Sequence, residues 1–183
     1  ADRAAPRDDE LRGLANEGKL SDADTFDLQV KRMLANPRSE ALGSRFASLW
    51  LRLQDLDLVH PDSLRFPDFY QQLVSSMHRE TELFFENLVR EDRSALELLT
   101  ADYSFVDERL ARHYGMSGVL GEQFVRVPLP AERRGILGHG SILASTSHAN
   151  RTSPVLRGKW VMEVLLGSPP PPPPPNVPEL EEN

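Results

Sequence analysis

Apolar residues recur along most of this chain at the 3.6-residue period of a helix, and the segments they mark open and close on local start and stop signals. The first, about Asp9 to Glu17, carries Leu11 and Leu14 and stops at Gly18, which suits a left-handed cap. Ser21 starts a second helix with Phe26, Val30, Met33 and Leu34 on one face. Asn36 and Pro37 end it, because proline disfavours helix in the residue before it. From Ser39 onward, Leu42, Phe46, Leu49, Trp50 and Leu53 form the cleanest amphipathic stripe in the sequence, which predicts a core-facing helix. After a loop holding His60, Pro61 and Asp62, residues Phe69, Leu73, Met77, Phe84 and Leu88 interleave with charges and predict the longest helix, about Pro67 to Arg90.

A short helical turn from Ser94 to Leu99 follows, then a helix with Val106, Leu110 and Tyr114 inward that Gly115 ends. Ser104, with Asp107 three residues on, resembles a capping box with Asp in place of Glu. Phe124, Val125 and Val127 before Pro128 predict one extended segment and at most a small hairpin. Ser153 as N-cap, Pro154 at the first helical position and Gly167 just past the end bound a last helix containing Val155, Leu156, Trp160, Val164 and Leu165. The predicted fold class is mostly α: an irregular helical bundle of about six to eight helices, at most one small hairpin, and a C-terminal polyproline tail. It divides into a lead-in with a short helix (1–20), a helical domain (21–118), a short extended segment with a glycine-rich helix and the final helix (119–168), and a polyproline spacer with an acidic tail (169–183). No fixed-period repeat supports a solenoid.

Charge and composition narrow the function. Against 28 Asp plus Glu stand 21 Lys plus Arg, a net charge of −7, which argues against nucleic acid as a partner because phosphate neutralisation needs a basic patch. No apolar run approaches the ~20 residues of a transmembrane segment, and no signal peptide is read at the start. The chain has no cysteine, which excludes thiolate catalysis, Cys-ligated metal and covalent haem attachment among its residues, so no cofactor is expected within it. Of the 15 prolines, eight fall in the last fifteen residues. The seven from Pro169 to Pro175 predict a polyproline II rod of about 22 Å, read as a stiff spacer or as a ligand for an aromatic-lined groove.

Local rules break down between Arg133 and Lys159, where the sequence runs RRGILGHGSILASTSHANRTSPVLRGK. Gly135, Gly138 and Gly140 interrupt a helical pattern, each at a cost of about 1 kcal/mol against alanine, which close helix packing or a ligand seat would offset. Arg151, Thr152, Ser153, Arg157 and Lys159 surround the start of the last helix and suit a carboxylate, phosphate or haem propionate. The structural alternative pairs Arg151 or Arg157 with a glutamate of the body. His139 and His148 flank Ser141, Ser145, Thr146 and Ser147, and either is a candidate general base or haem-proximal group. His78, Glu82 and Glu86 share one helical face but lack the Glu-x-x-His pair of di-iron bundles, so a solvated charged face is the better account and no metal site is expected.

The stretches DDELRGLANEGKLSD, RMLANPR and RETELFFENLVREDRSALELLTADYSFVDERLARHYG resemble the uncharacterised helical family known as domain of unknown function 1592. RRGILGHGSILASTSHANRTSPVLRGKWVMEVLLGSPPPPPPPNVPEL resembles the opening part of its usual neighbour, domain of unknown function 1588. The resemblance implies the setting of secreted planctomycete-type proteins with c-type cytochrome modules, hence a periplasmic or extracellular location. It also implies haem c on flanking segments, with flanking domains of a longer protein or a separate cytochrome subunit as partners. Ala1 to Arg7 depart from the family's upstream helix, which suits either a cut or an artificial boundary; an exposed apolar face on the first two helices is the expected sign of a missing neighbour.

On this basis the chain is read as a helical scaffold or accessory module of an exported multidomain c-type cytochrome of electron-transfer or oxidoreductase type. Arg151, Arg157 and Lys159 are then its anion contacts, and His139 or His148 lies near the redox centre. The alternative is a non-catalytic protein–protein interaction module, expected to show an apolar patch and no concave site around Arg151. A third reading is a hydrolase with His148 or His139 as base and Glu132 or Asp107 as its partner, which requires such a pair within hydrogen-bond reach.

Overall fold

The computed structural model describes residues 8–171; Ala1 to Arg7, the prolines from Pro172 and the acidic tail lie outside the described residues. The chain is mostly helical: α1 (Asp9–Asn16), α2 (Ala23–Ala35), α3 (Ser48–Trp50), α4 (Gln71–Arg90), α5 (Glu97–Thr100), α6 (Glu108–His113), α7 (Gly140–Ser145) and α8 (Pro154–Trp160). Two short strands, β1 (Tyr103–Val106) and β2 (Val125–Pro128), pair antiparallel with Tyr103 opposite Pro128. The hairpin expected around Val125 therefore takes its other strand from the segment read as the start of a helix. Ser104 sits in β1, and Asp107 is the actual cap of α6, its Oδ1 accepting the Leu110 N–H at 2.8 Å.

The longest helix, α4, forms the axis of the molecule. Its buried face meets one cluster with Leu51, Phe84, Ile136, Ile142 and Trp160, and a second with Leu56, Leu73, Met77, Val106 and Leu110. Residues from both sides of position 118 share the first cluster, so the core is continuous across that point. At the last helix the sequence signals match the backbone: the Ser153 hydroxyl accepts the Leu156 N–H at 3.3 Å, Pro154 takes the first position, and Gly167 has φ 59°. A π-helical turn over Val161–Leu165 extends α8.

The stripe from Leu42 to Leu53 does not form the expected core-facing helix. A π-helical stretch over Leu42–Ala47 winds it too loosely, and Arg52 breaks it with φ 54°. Leu53 is buried, but Phe46 and Leu49 turn outward and are 54% and 69% exposed. The widened turn lets the backbone lie close on α4: a Cβ at Gly43 would stand 2.9 Å from the Glu82 carbonyl oxygen. On α2, Phe26 is 56% exposed, and Val30 and Met33 are also exposed, so the apolar stripe of that helix faces away from the body.

Candidate functional site

A glutamate interrupts the apolar face of α4. Glu80 lies three residues after Met77 and four before Phe84, on the buried side of the helix, and is wholly buried. Two hydroxyls satisfy its carboxylate: Ser104 of β1 donates to Oε1 at 2.7 Å, and Tyr114, just after α6, donates to Oε2 at 2.6 Å. The Gly140 N–H in turn donates to the Tyr114 oxygen at 2.7 Å. Removal from water opposes ionisation and pushes the Glu80 carboxyl from 4.5 up to about 7, even though Tyr114, Ser104 and the Arg133 charge favour the anion. Tyr114 is itself raised well above 10.0, chiefly by burial and by the carboxyl beside it.

His139, at the start of α7, is buried next to this group with its ring edge-on to Phe84, the centroids 5.0 Å apart. Its Nδ1 lies 3.0 Å from Thr81 Oγ1, its Nε2 lies 3.4 Å from Ser104 Oγ, and Thr81 stands 2.8 Å from Ser141 Oγ. Burial, with the Arg133 charge second, pulls its pKa from 6.5 down to about 3, so the imidazole is neutral at pH 7. These contacts have one consistent direction when Glu80 is ionised. Ser104 gives its proton to the carboxylate and accepts from His139 Nε2–H, and Nδ1 then accepts from Thr81, which accepts from Ser141. Protonating Glu80 at Oε1 reverses the Ser104 link and both His139 links and moves the ring proton to Nδ1, while Thr81, which then accepts from Nδ1, can donate to Ser141 or to the Met77 carbonyl at 3.4 Å.

Beside the network lies a cleft of about 400 Å³, lined by Tyr114 and Gly140 together with apolar Phe66, Phe69 and Leu143. Arg133, Arg151 and Arg157 line it as well, with Thr152, His113 and His148. The Arg133 guanidinium stacks 4.2 Å over the Tyr114 ring and donates to the Gly138 carbonyl at 3.2 Å. Arg157 donates to Thr152 Oγ1 at 3.2 Å and to Thr146 Oγ1 at 3.4 Å. The loop carrying Arg151 is closed by a bridge between Ser147 and Thr152, and its Ala149 carbonyl accepts the Asp62 N–H at 2.9 Å. Among the described residues none of these three arginines forms an ion pair, so pairing of Arg151 or Arg157 with a body glutamate is not what holds the last helix.

The other residues singled out from sequence are dispersed. Ser153 is buried, with its hydroxyl committed to the helix cap, and Lys159 points to Glu163 at 3.7 Å. His148 is exposed in the loop, whereas His139 is enclosed with both nitrogens facing hydroxyls, which leaves it no open side toward the cleft. Neither histidine has a carboxylate partner among the described residues; Asp107 instead accepts from Ser76 at 2.8 Å, so the hydrolase reading loses its geometric basis. On α4, Glu82 pairs with Arg79 at 3.2 Å and Glu86 with Arg90 at 2.9 Å, but their side chains are only 18% and 12% exposed, so this face is half-buried rather than the solvated one expected. No group of three His, Asp or Glu able to hold a metal occurs among the described residues, and the chain has no cysteine.

The three glycines of the polar segment answer to packing. A Cβ at Gly135 would stand 2.5 Å from the Leu98 carbonyl oxygen, one at Gly138 would run into the Arg133 backbone, and one at Gly140 would stand 2.8 Å from Met77 Cε and 3.0 Å from the Tyr114 hydroxyl. Sequence reasoning passed over Glu80, Thr81 and Tyr114 as site residues. The available signal was a glutamate at a core position of the α4 stripe, where an unpaired charge would be untenable.

The described residues thus define a mostly helical module in which a buried glutamate–histidine network adjoins a cleft carrying arginines. The chain belongs to the family described as PSD4, protein of unknown function (DUF1592), which matches residues 3–116, and residues 133–183 match PSCyt3, protein of unknown function (DUF1588). No curated protein and no solved structure matches the chain. The network and cleft draw on both parts, with Glu80, Ser104 and Tyr114 from the first and Arg133, His139 and Gly140 from the second.

Proposed function

We propose that this module is an accessory scaffold of an exported multidomain c-type cytochrome, and that its cleft receives an anionic group such as a haem propionate. The anion comes from a neighbouring domain or a separate cytochrome subunit, because this chain has no cysteine to attach haem. The observation that carries the reading is the set Arg133, Arg151 and Arg157 around one cleft with no carboxylate partner among the described residues. A cation without a counterion is a ready contact for an anion, and Thr152 beside Arg157 adds a hydroxyl donor. Lys159 and Ser153, already committed elsewhere, drop out of the contact set. The name PSCyt3 of the second matched family supports the cytochrome setting, which in turn implies a periplasmic or extracellular location.

Replacing Arg151 and Arg157 together by alanine in the intact protein is expected to shift the haem potential or weaken haem binding. Unchanged haem properties with only a lowered melting temperature would defeat the proposal.

The outward apolar residues Phe26, Val30 and Met33 of α2, and separately Phe46 and Leu49, support the second reading, a non-catalytic interaction module. The concave site beside Arg151 favours the first.

A further inference from the structure

We infer that the cleft selects a carboxylate carried on an apolar body, in preference to an inorganic anion or an uncharged amphiphile. The inference rests on the anion-binding reading above and names the chemistry of the ligand. About 400 Å³ is the size of a site for a small organic molecule rather than for a single ion. Phe66, Phe69, Met77 and Leu143 give it an apolar lining that an inorganic anion would leave unfilled. A doubly charged phosphate would also surrender more hydration on entering such a lining than a carboxylate does.

The cationic part is placed in advance. Stacking on Tyr114 and the bond to the Gly138 carbonyl fix the Arg133 guanidinium while leaving other N–H groups free. The planar fork that remains matches the two oxygens of a carboxylate. Tyr114 is in turn fixed by Glu80 and by the Gly140 N–H, so the buried network holds the headgroup contact rigid. His113 lines the same cleft, and its pKa is lowered, first by burial and then by the Arg133 charge. In a chain of net charge −7, three arginines without a carboxylate partner among the described residues at one apolar cleft are not explained by composition.

The test is titration of the chain with decanoate, decanol and inorganic phosphate at low salt, followed by calorimetry and amide chemical shifts. Each buried methylene contributes about fourfold to binding, so decanoate is expected to bind at one site at least about a hundredfold more tightly than phosphate. Arg133→Gln and Arg151→Gln are each expected to weaken decanoate about tenfold while leaving decanol unchanged. The Arg151 side chain has no hydrogen-bond partner among the described residues, so that variant keeps the fold even if Arg133→Gln does not. Iron protoporphyrin serves as a competitor: displacement of decanoate identifies a tetrapyrrole propionate as the source and its absence a free carboxylate, and both results uphold the inference.

Phosphate binding as tightly as decanoate would overturn the inference and leave the anion reading standing. Decanoate binding no better than decanol, with no response to either arginine variant, would overturn both. No saturable decanoate binding would overturn the inference alone, and the haem potential of the Arg151/Arg157 variant then decides the anion reading separately.

Discussion

Trp50 and Trp160 hydrogen-bond across the same joint in opposite directions: the Trp50 indole donates to the Val164 carbonyl at 3.0 Å, and the Trp160 indole donates to the Leu51 carbonyl at 3.3 Å. Both acceptors lie where the helix is irregular, Leu51 just before the left-handed Arg52 and Val164 within the π-turn after α8. Loosened turns free carbonyls that an α-helix would occupy, and the two tryptophans fill that need for each other's segment. The joint thereby fastens the chain's last helix to the region matched by the first family.

Trp160→Phe keeps most of the apolar area but leaves the Leu51 carbonyl unpaired in the core. Unfolding in urea should show a loss of about 1–3 kcal/mol, the cost of an unsatisfied buried acceptor. For the same reason a fragment ending at position 118 loses Ile136, Ile142, Trp160 and Val164 from the first cluster. Its amide spectrum should lack the dispersion of a folded protein.

Glu80 and His139 make opposite contributions to stability against pH. Because the folded pKa of Glu80 is raised from 4.5 to about 7, its contribution is full below pH 4.5 and is lost as pH climbs to 7, a fall of about 3 kcal/mol. His139, depressed from 6.5 to about 3, contributes above pH 6.5 and loses that contribution as pH drops toward 3. The two slopes oppose each other between pH 4.5 and 6.5, where the wild-type chain should show only the shallow rise with pH left by His113, whose pKa is lowered as well. In Glu80→Gln, denaturation at a series of pH values should instead show stability climbing until pH 6.5 and then levelling.

The hydrogen-bond direction linking Glu80 to His139 makes the histidine tautomer a reporter of the carboxyl. Nitrogen-15 spectra of the imidazole should show the proton on Nδ1 below about pH 7 and on Nε2 above it. A single tautomer throughout that range would show that Ser104, whose 3.4 Å contact to Nε2 is the longest link, does not transmit the change.

Glycine substitutions should divide by location. Gly140→Ala pushes a methyl against Met77 and the Tyr114 hydroxyl, and thermal unfolding should show a loss of about 1–3 kcal/mol. Gly135→Ala should cost more, since backbone blocks the methyl and φ is 63°. Gly158→Ala, in open space on α8, should stabilise by up to about 1 kcal/mol through helix propensity alone.

Local chemistry in the sequence determined the helical class, the long α4 and the bounds of α8, because capping hydroxyls, proline geometry and apolar periodicity act within a few residues. It also marked the 133–159 segment as unusual through its glycines, and marked Arg151 and Arg157 through their density of positive charge. Tertiary structure alone decided the outward turn of Phe46 and Leu49, since that depends on a π-turn that lays Gly43 against α4. It alone paired β1 with β2, residues too far apart in the chain for a local signal. It alone also made a site of Glu80, Tyr114 and His139: the glutamate stands out in the apolar stripe of α4, but its partners are known only once the fold removes its water and supplies hydroxyls from a strand and a neighbouring helix end.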